Sequence, residues 1–176
     1  DVGDFDACAA LHARVLNHHG PVDVLVNNAG ITRDASFRKM AVEQWQQVLR
    51  VNLDSAFNLS KQVVDGMCER GFGRIVNISS IVGQTGAFGQ TNYAASKAGL
   101  HGFTMALARE VARKGVTVNS ISPGYIETAM TAAMPDDVRQ QVIATIPAGR
   151  IGQPEDIARA VDYLCSDAAS YLTGVN

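Results

Sequence analysis

The chain has 176 residues, 47% of them hydrophobic, which is enough for one domain with a real core. Fifteen basic against seventeen acidic residues give a net charge of −2, with no basic stripe for nucleic acid and no polybasic run for a membrane surface, so a small-molecule partner is expected. Cys8, Cys68 and Cys165 are far apart, with no histidine at ligand spacing, so they are expected to be reduced cytoplasmic thiols rather than a metal site. In chain order, a helix is predicted from about Phe5 to His19, stopped by Gly20-Pro21, then a short buried strand in "VDVLVN" from Val22, closed by the turn "NNAG". A long helix follows from about Val42 to Arg70, with Trp45, Leu49, Ala56, Leu59, Val63 and Met67 on one side and Gly71 as its stop. The strand "GRIVNIS", a Gly-rich polar loop from Ser80 to Gln90, a helix from Thr91 to Lys114 and the strand "VTVNSIS" from Val116 complete the run.

Strands alternating with long helices predict right-handed βαβ units: a single α/β domain over residues 1–176, a doubly wound, mostly parallel sheet of Rossmann type. The chain opens on Asp1-Val2 without a methionine and stops at "YLTGVN", where a further strand is expected to start, so both ends read as cut. No apolar run approaches the roughly 18 residues of a membrane span, and the start lacks the charged leader and apolar core of an export signal.

In such sheets ligands lie beyond the carboxyl ends of the strands. The three strands end in Asn27-Asn28-Ala29-Gly30, Ser79-Ser80 and Ser122-Pro123-Gly124. Each is an ordinary turn composition by itself, but together they gather polar groups on one rim. Two polar residues also interrupt apolar stripes. With Tyr93 as origin, Leu100, Thr104, Leu107 and Val111 share a helical face with Lys97. A buried ammonium needs partners or loses its proton; the plainer reading is a lysine that snorkels to water. Asn52 interrupts its own stripe between Leu49 and Ala56, and its plainer reading is a satisfied core amide.

"NNAG", Asn52, Ser80, Tyr93-x-x-x-Lys97 and Pro123-Gly124 resemble, in order and spacing, the short-chain dehydrogenase/reductase family over nearly the whole chain. Tyr93 alone of the four tyrosines has a lysine four residues on. "GQTNYAASKAG", "HGFTMALA" and "ISPGYIETAM" look more narrowly like the reductases of 3-oxoacyl thioesters, with acetoacetyl-CoA and carrier-protein thioesters as the two substrate readings. The resemblance implies Tyr93 as proton donor, Ser80 as hydrogen-bond donor to the substrate carbonyl, Lys97 as the cation beside the phenol, and Asn52 as holder of a proton-relay water. A neighbouring ammonium is expected to lower the phenol's pKa from about 10.

The same resemblance implies NADPH as cofactor, without excluding NADH. Asp1 and Val2 match its adenine-side segment, although a ragged chain start is an equal reading. Asn27, Asn28, Ala29 and Gly30 match the turn where backbone approaches the cofactor, Tyr93 and Lys97 the ribose side, and Pro123, Gly124, Ile126 and Thr128 the carboxamide side. The family's phosphate-binding glycine turn and first βαβ unit have no counterpart in these residues, so the chain as given is expected to bind nucleotide poorly. Substrate contacts are implied for Ser80, Tyr93, Phe88, Gln90 and Tyr125, while Ala87 departs from the family's glutamine. Tyr125, Ile126, Met130 and Met134 read as an adaptable lid, or as a plain surface helix pair. A homotetramer is implied, with Leu53, Phe57, Met105 and Ala108 as candidate packing positions. The non-enzymatic alternative is a Rossmann-like binding module that kept the fold alone.

Overall fold

The computed structural model describes residues 1–128 and 135–176. Helix α1 (Phe5–His19) starts where the Asp4 carboxylate accepts the Ala7 N–H, and ends at Gly20, whose φ of 84° takes the chain out of the helix. Strand β1 (Val24–Asn27) follows, shorter than the predicted run. The predicted long helix is present but not uniform: α2 (Val42–Leu49) passes through a π-helical turn at Arg50–Asp54 into α3 (Ser55–Arg70), closed by Gly71 in the left-handed region. Asn52 sits inside that π turn, and Val48 rather than Leu49 takes the fully buried place before it. Strand β2 (Gly73–Ile78), the long α5 (Thr91–Val111) and strand β3 (Val116–Ile121) follow in the predicted order, with a single-turn helix α4 (Val82–Thr85) inside the stretch expected to be loop.

The strands form one parallel sheet in the order β1-β2-β3, with Leu25, Ile75 and Val118 in register across it. On that face Val63 and Met67 of α3 and Ala108 and Val111 of α5 close over Ile75, Val116 and Val118. Two further helices, α6 (Asp136–Thr145) and α7 (Pro154–Cys165), lie beyond the predicted elements. Pro154 opens α7 in the first turn, where its missing N–H costs nothing, and the Asp156 carboxylate accepts the Gln153 N–H at 2.8 Å. α7 packs on β2 and β3 from the alternate parity of strand residues, where buried Arg74 faces Asp167. The second face is thus covered at β2 and β3, while Val24 and Val26 of β1 stay exposed on it.

At the end of the chain Gly174 N–H donates to the Val118 carbonyl, and Ser120 N–H donates to the Val175 carbonyl, laying the last residues beside β3. One prediction about the helix surfaces is corrected. Phe57 and Met105 do face outward, but Ala108 is 2% exposed and belongs to the core. Leu53 is half-buried, with its methyls against Gly99, where an added Cβ would meet them at 2.9 Å. Ala108 is buried because that side of α5 lies on the sheet, where it joins Val111 against Val116 and Val118.

Candidate active site

Ser80, Tyr93, Lys97 and Asn52 converge at the carboxyl ends of β1 and β2. Lys97 and Tyr93 share one face of α5, with the Lys97 ammonium 5.6 Å from the centroid of the Tyr93 ring. Lys97 is 3% exposed and does not snorkel. Its Nζ donates one hydrogen bond among the described residues, 2.7 Å to the carbonyl of Ile78, the last residue of β2. Burial lowers its pKa to about 8.

The phenol departs from expectation. Its pKa is raised, first because burial penalises the phenolate; a hydrogen bond with the Ser80 side chain pulls the other way, and the Asp34 charge adds to the rise. Lys97 does not lower it here, because the ammonium is directed at the Ile78 carbonyl and lies over the ring. A phenol that stays protonated through neutral pH is nevertheless the form a proton donor needs.

Asn52 is buried and its amide is fully engaged. Oδ1 accepts the Ile31 N–H at 2.8 Å, while Nδ2 donates to the Ile31 carbonyl at 3.0 Å and to Ser96 Oγ at 3.2 Å. The side chain is therefore a clamp on the backbone after Gly30 and offers a relay water no free N–H. Gly30 lies close above it: a Cβ there would stand 3.4 Å from both Asn52 Oδ1 and Lys97 Nζ.

Several further residues build this geometry, of which Gly83, Asn92 and Ser96 were not expected from the pattern. Ser79 Oγ donates 2.8 Å to the Lys97 carbonyl, fastening the end of β2 to α5. Gly83 lets α4 cross α5 closely, since a Cβ there would fall 2.8 Å from Lys97 C and 2.9 Å from Ala98 N. Ile81 N–H donates to the Pro123 carbonyl at 3.0 Å, tying the Ser80 loop to the turn after β3. Asn92 and Ser96 form a second polar stripe one residue from the one that begins at Tyr93; four-residue spacing among polar positions was the available signal.

The remaining predicted residues are placed unevenly. Asn28, Ala29 and Gly30 are exposed on the rim, but Asn27 turns inward, its Nδ2 donating to Asn77 Oδ1 at 2.8 Å, so its side chain is a core group. Asn77 in turn donates to Thr104 Oγ1 at 2.8 Å. Asp1 pairs with Arg50 at 3.2 Å, and the Val2 carbonyl accepts from Asn58 Nδ2 at 3.0 Å, so this start is tied down. Ile126 bridges in parallel to Gly152, Gly124 and Thr128 are exposed, and Met130 and Met134 fall outside the described residues.

Gln90 donates to Asp34 at 2.8 Å and Tyr125 is exposed. Phe88 is 96% exposed: Gly86 and Gly89, both at positive φ, turn its loop outward. A cavity of about 520 Å³ lies elsewhere, between Glu127, α6 and the start of α7. Its charges are largely paired, Arg139 with Glu127 and Arg150 with Asp156, and none of the four site residues reaches it.

The site fits a nicotinamide cofactor by its donor set. A buried ammonium with one of its three N–H groups engaged, beside a glycine that leaves room for approach, can hold vicinal ribose hydroxyls.

A family profile described as enoyl-(acyl carrier protein) reductase matches residues 1–176. The chain is 58% identical over 176 residues to the acetoacetyl-CoA reductase of Allochromatium vinosum, covering 100% of this chain and 72% of that protein. It is 56% identical to the acetoacetyl-CoA reductase of Cupriavidus necator with the same coverage. With the 3-oxoacyl-[acyl-carrier-protein] reductase FabG of Vibrio cholerae it shares 50% identity over 169 residues, 96% of this chain and 69% of that one.

Proposed function

The chain belongs to the short-chain dehydrogenase/reductase family and is an NAD(P)-dependent oxidoreductase, and we propose that it reduces a 3-oxoacyl thioester, acetoacetyl-CoA, to the (R)-3-hydroxy product with NADPH. The observation that carries this reading is the buried Lys97 ammonium held over the Tyr93 ring at the end of β2, with Ser80 close enough to the phenol to pull its pKa down against burial.

A carbonyl oxygen seated at this pair receives a hydrogen bond from Ser80, which stabilises the negative charge that develops as the ketone is reduced. The phenol of Tyr93 delivers the proton to that oxygen, and its raised pKa keeps the proton available at neutral pH. Lys97, anchored on the Ile78 carbonyl, keeps two N–H groups for ribose hydroxyls. The nicotinamide, when bound, supplies the hydride. Asn52 holds the Ile31 backbone in place beneath Gly30.

Substrate choice rests on the acetoacetyl-CoA reductases among the relatives, and a role in polyhydroxyalkanoate synthesis in the cytoplasm belongs to the same proposal. No helix among the described residues is long and apolar enough to cross a membrane. A homotetramer is proposed on the exposed Phe57 and Met105 of α3 and α5, beside the groove these helices form.

The test is turnover by the whole protein on acetoacetyl-CoA, with NADPH and NADH compared. Tyr93→Phe is expected to lose turnover by about 10²- to 10⁴-fold while nucleotide binding persists. Unchanged turnover removes Tyr93 from the chemistry, and a strong preference for the carrier-protein thioester replaces the substrate assignment.

A further inference from the structure

The segment that follows Gly30 runs along the start of α5 and is pinned at alternate residues. Ile31 is held through its N–H and carbonyl by Asn52, and the Arg33 carbonyl accepts from Asn92 Nδ2 at 3.0 Å. Ala35 N–H donates to the Gly89 carbonyl at 2.9 Å, and between these last two pins Asp34 accepts from Gln90. Asn92 is the centre of the arrangement. It is 0% exposed, and all three of its described hydrogen bonds go to backbone: Oδ1 accepts the Tyr93 N–H at 2.8 Å, and Nδ2 donates to Arg33 and, at 3.3 Å, to the Gln44 carbonyl of α2.

A fully buried amide with this set of partners does more than fill space. One side chain joins the residue bearing the phenol to the strap leaving the cofactor rim and to a neighbouring helix. Ser96, one turn along, repeats the connection: its Oγ donates to the Tyr93 carbonyl at 2.8 Å and accepts from Asn52. The backbone N–H and the backbone C=O of Tyr93 are thus both held by buried polar side chains linked to residues 31–33. Polar networks of this kind rigidify a site when every member is satisfied.

We infer that Asn92 is a positioning residue for the proton donor, fixing the Tyr93 phenol relative to the Gly30–Arg33 strap without touching substrate or cofactor. The inference rests on the proposed role of Tyr93. A displacement near 1 Å of a reacting group is enough to lower turnover by about 100-fold, and loss of the clamp releases both the strap and the first turn of α5.

The experiment compares Asn92→Ala and Asn92→Asp with Thr104→Val in the whole protein, recording kcat, KM for nucleotide and the unfolding midpoint of each. Thr104→Val removes a buried hydrogen bond from the same helix, with Asn77, and serves as the control for stability alone. Asn92→Ala is expected to lower kcat by about 10- to 100-fold with KM for nucleotide nearly unchanged, while Thr104→Val loses stability and keeps its kcat. Asn92→Asp keeps the acceptor for Tyr93 N–H but loses both donors, so its kcat falls as in Asn92→Ala and recovers in part toward acid pH, where a protonated carboxyl again donates to Arg33.

A kcat within about twofold of the parent in Asn92→Ala, or a loss matched by Thr104→Val at equal stability, overturns the inference. If Asn92→Ala does not accumulate folded, Asn92→Ser, which keeps a hydroxyl in the same space, reads the same two outcomes. Failure of the functional reading looks different: Tyr93→Phe would then retain turnover, whatever the Asn92 variants do.

Discussion

Lys97 Nζ stands 2.7 Å from the carbonyl oxygen of Ile78, so the cation of the site is anchored to the end of β2 and lies over the Tyr93 ring instead of reaching its oxygen. That anchor separates two titrations usually treated as one. Burial brings the ammonium down to about 8, and burial also moves the phenol upward. The ketone-reducing form carries a proton on both groups. As pH rises Lys97 loses its proton first, so kcat/KM for reduction is expected to fall with an apparent pKa of about 8, that of the buried lysine. A profile that stays flat from about pH 7 to 9 contradicts the assignment.

The same group makes stability depend on pH. The unfolded lysine titrates at 10.5 and the folded one at about 8. Below pH 8 both states are protonated and the folded chain bears the whole cost of the buried charge; between 8 and 10.5 the folded state sheds its proton first, and stability rises. The full cost is about 3 kcal/mol from the shift. Lys97→Met should therefore stabilise the unliganded chain at pH 7 by about 1–3 kcal/mol, after allowing for the lost bond to Ile78, with the gain shrinking toward pH 10.5. Urea titrations at the two ends of that window measure it, while turnover is lost throughout.

Ser80 is the one group lowering the phenol's pKa, against burial and Asp34. Ser80→Ala is expected to move the phenol further upward, visible as a later phenolate absorbance on alkaline titration against a Tyr93→Phe background. It should also reduce kcat/KM by about 10²- to 10³-fold, the size seen when one donor to a developing oxyanion is removed. An unmoved titration would mean that the hydroxyl does not engage the phenol.

Gly83 is required by contact with backbone. A methyl there meets Lys97 C at 2.8 Å and Ala98 N at 2.9 Å, atoms that cannot rotate away. Gly83→Ala is expected to cost about 1–3 kcal/mol and to lift the Ser80 loop from α5, lowering kcat as well as stability. Denaturant midpoints with parallel kinetics test this, and a variant of native stability would show that the crossing has slack.

Much of the fold was legible because it depends on local signals. The helix from Phe5 to His19 was found because Gly20-Pro21 stops a helical pattern, and the Asp4 cap fixes its start in the structure. The strand at Gly73 and the helix starting at Thr91 were found for similar reasons. The break at Arg50–Asp54 was not, because the apolar period continues through a π turn and the irregularity satisfies Asn52 through contacts 21 and 44 residues away. Helices α6 and α7 lay outside the motif run that organised the rest, although the Gln153-Pro154 start with Asp156 was a readable cap.

Sequence by itself determined which chemical groups this protein carries and roughly where they stand: a tyrosine and a lysine one helical turn apart, a serine at a strand end, glycine where backbone must come close. Those are matters of covalent order and helical repeat. Only the tertiary structure decided what the groups do to one another. Burial, which spacing does not encode, set the direction of the Lys97 and Tyr93 shifts, and the Ile78 carbonyl set where the ammonium points. Hydrogen bonds between residues 59 and 48 positions apart made Asn92 a clamp on the proton donor's helix, because such bonds exist only once distant backbone has been brought within about 3 Å.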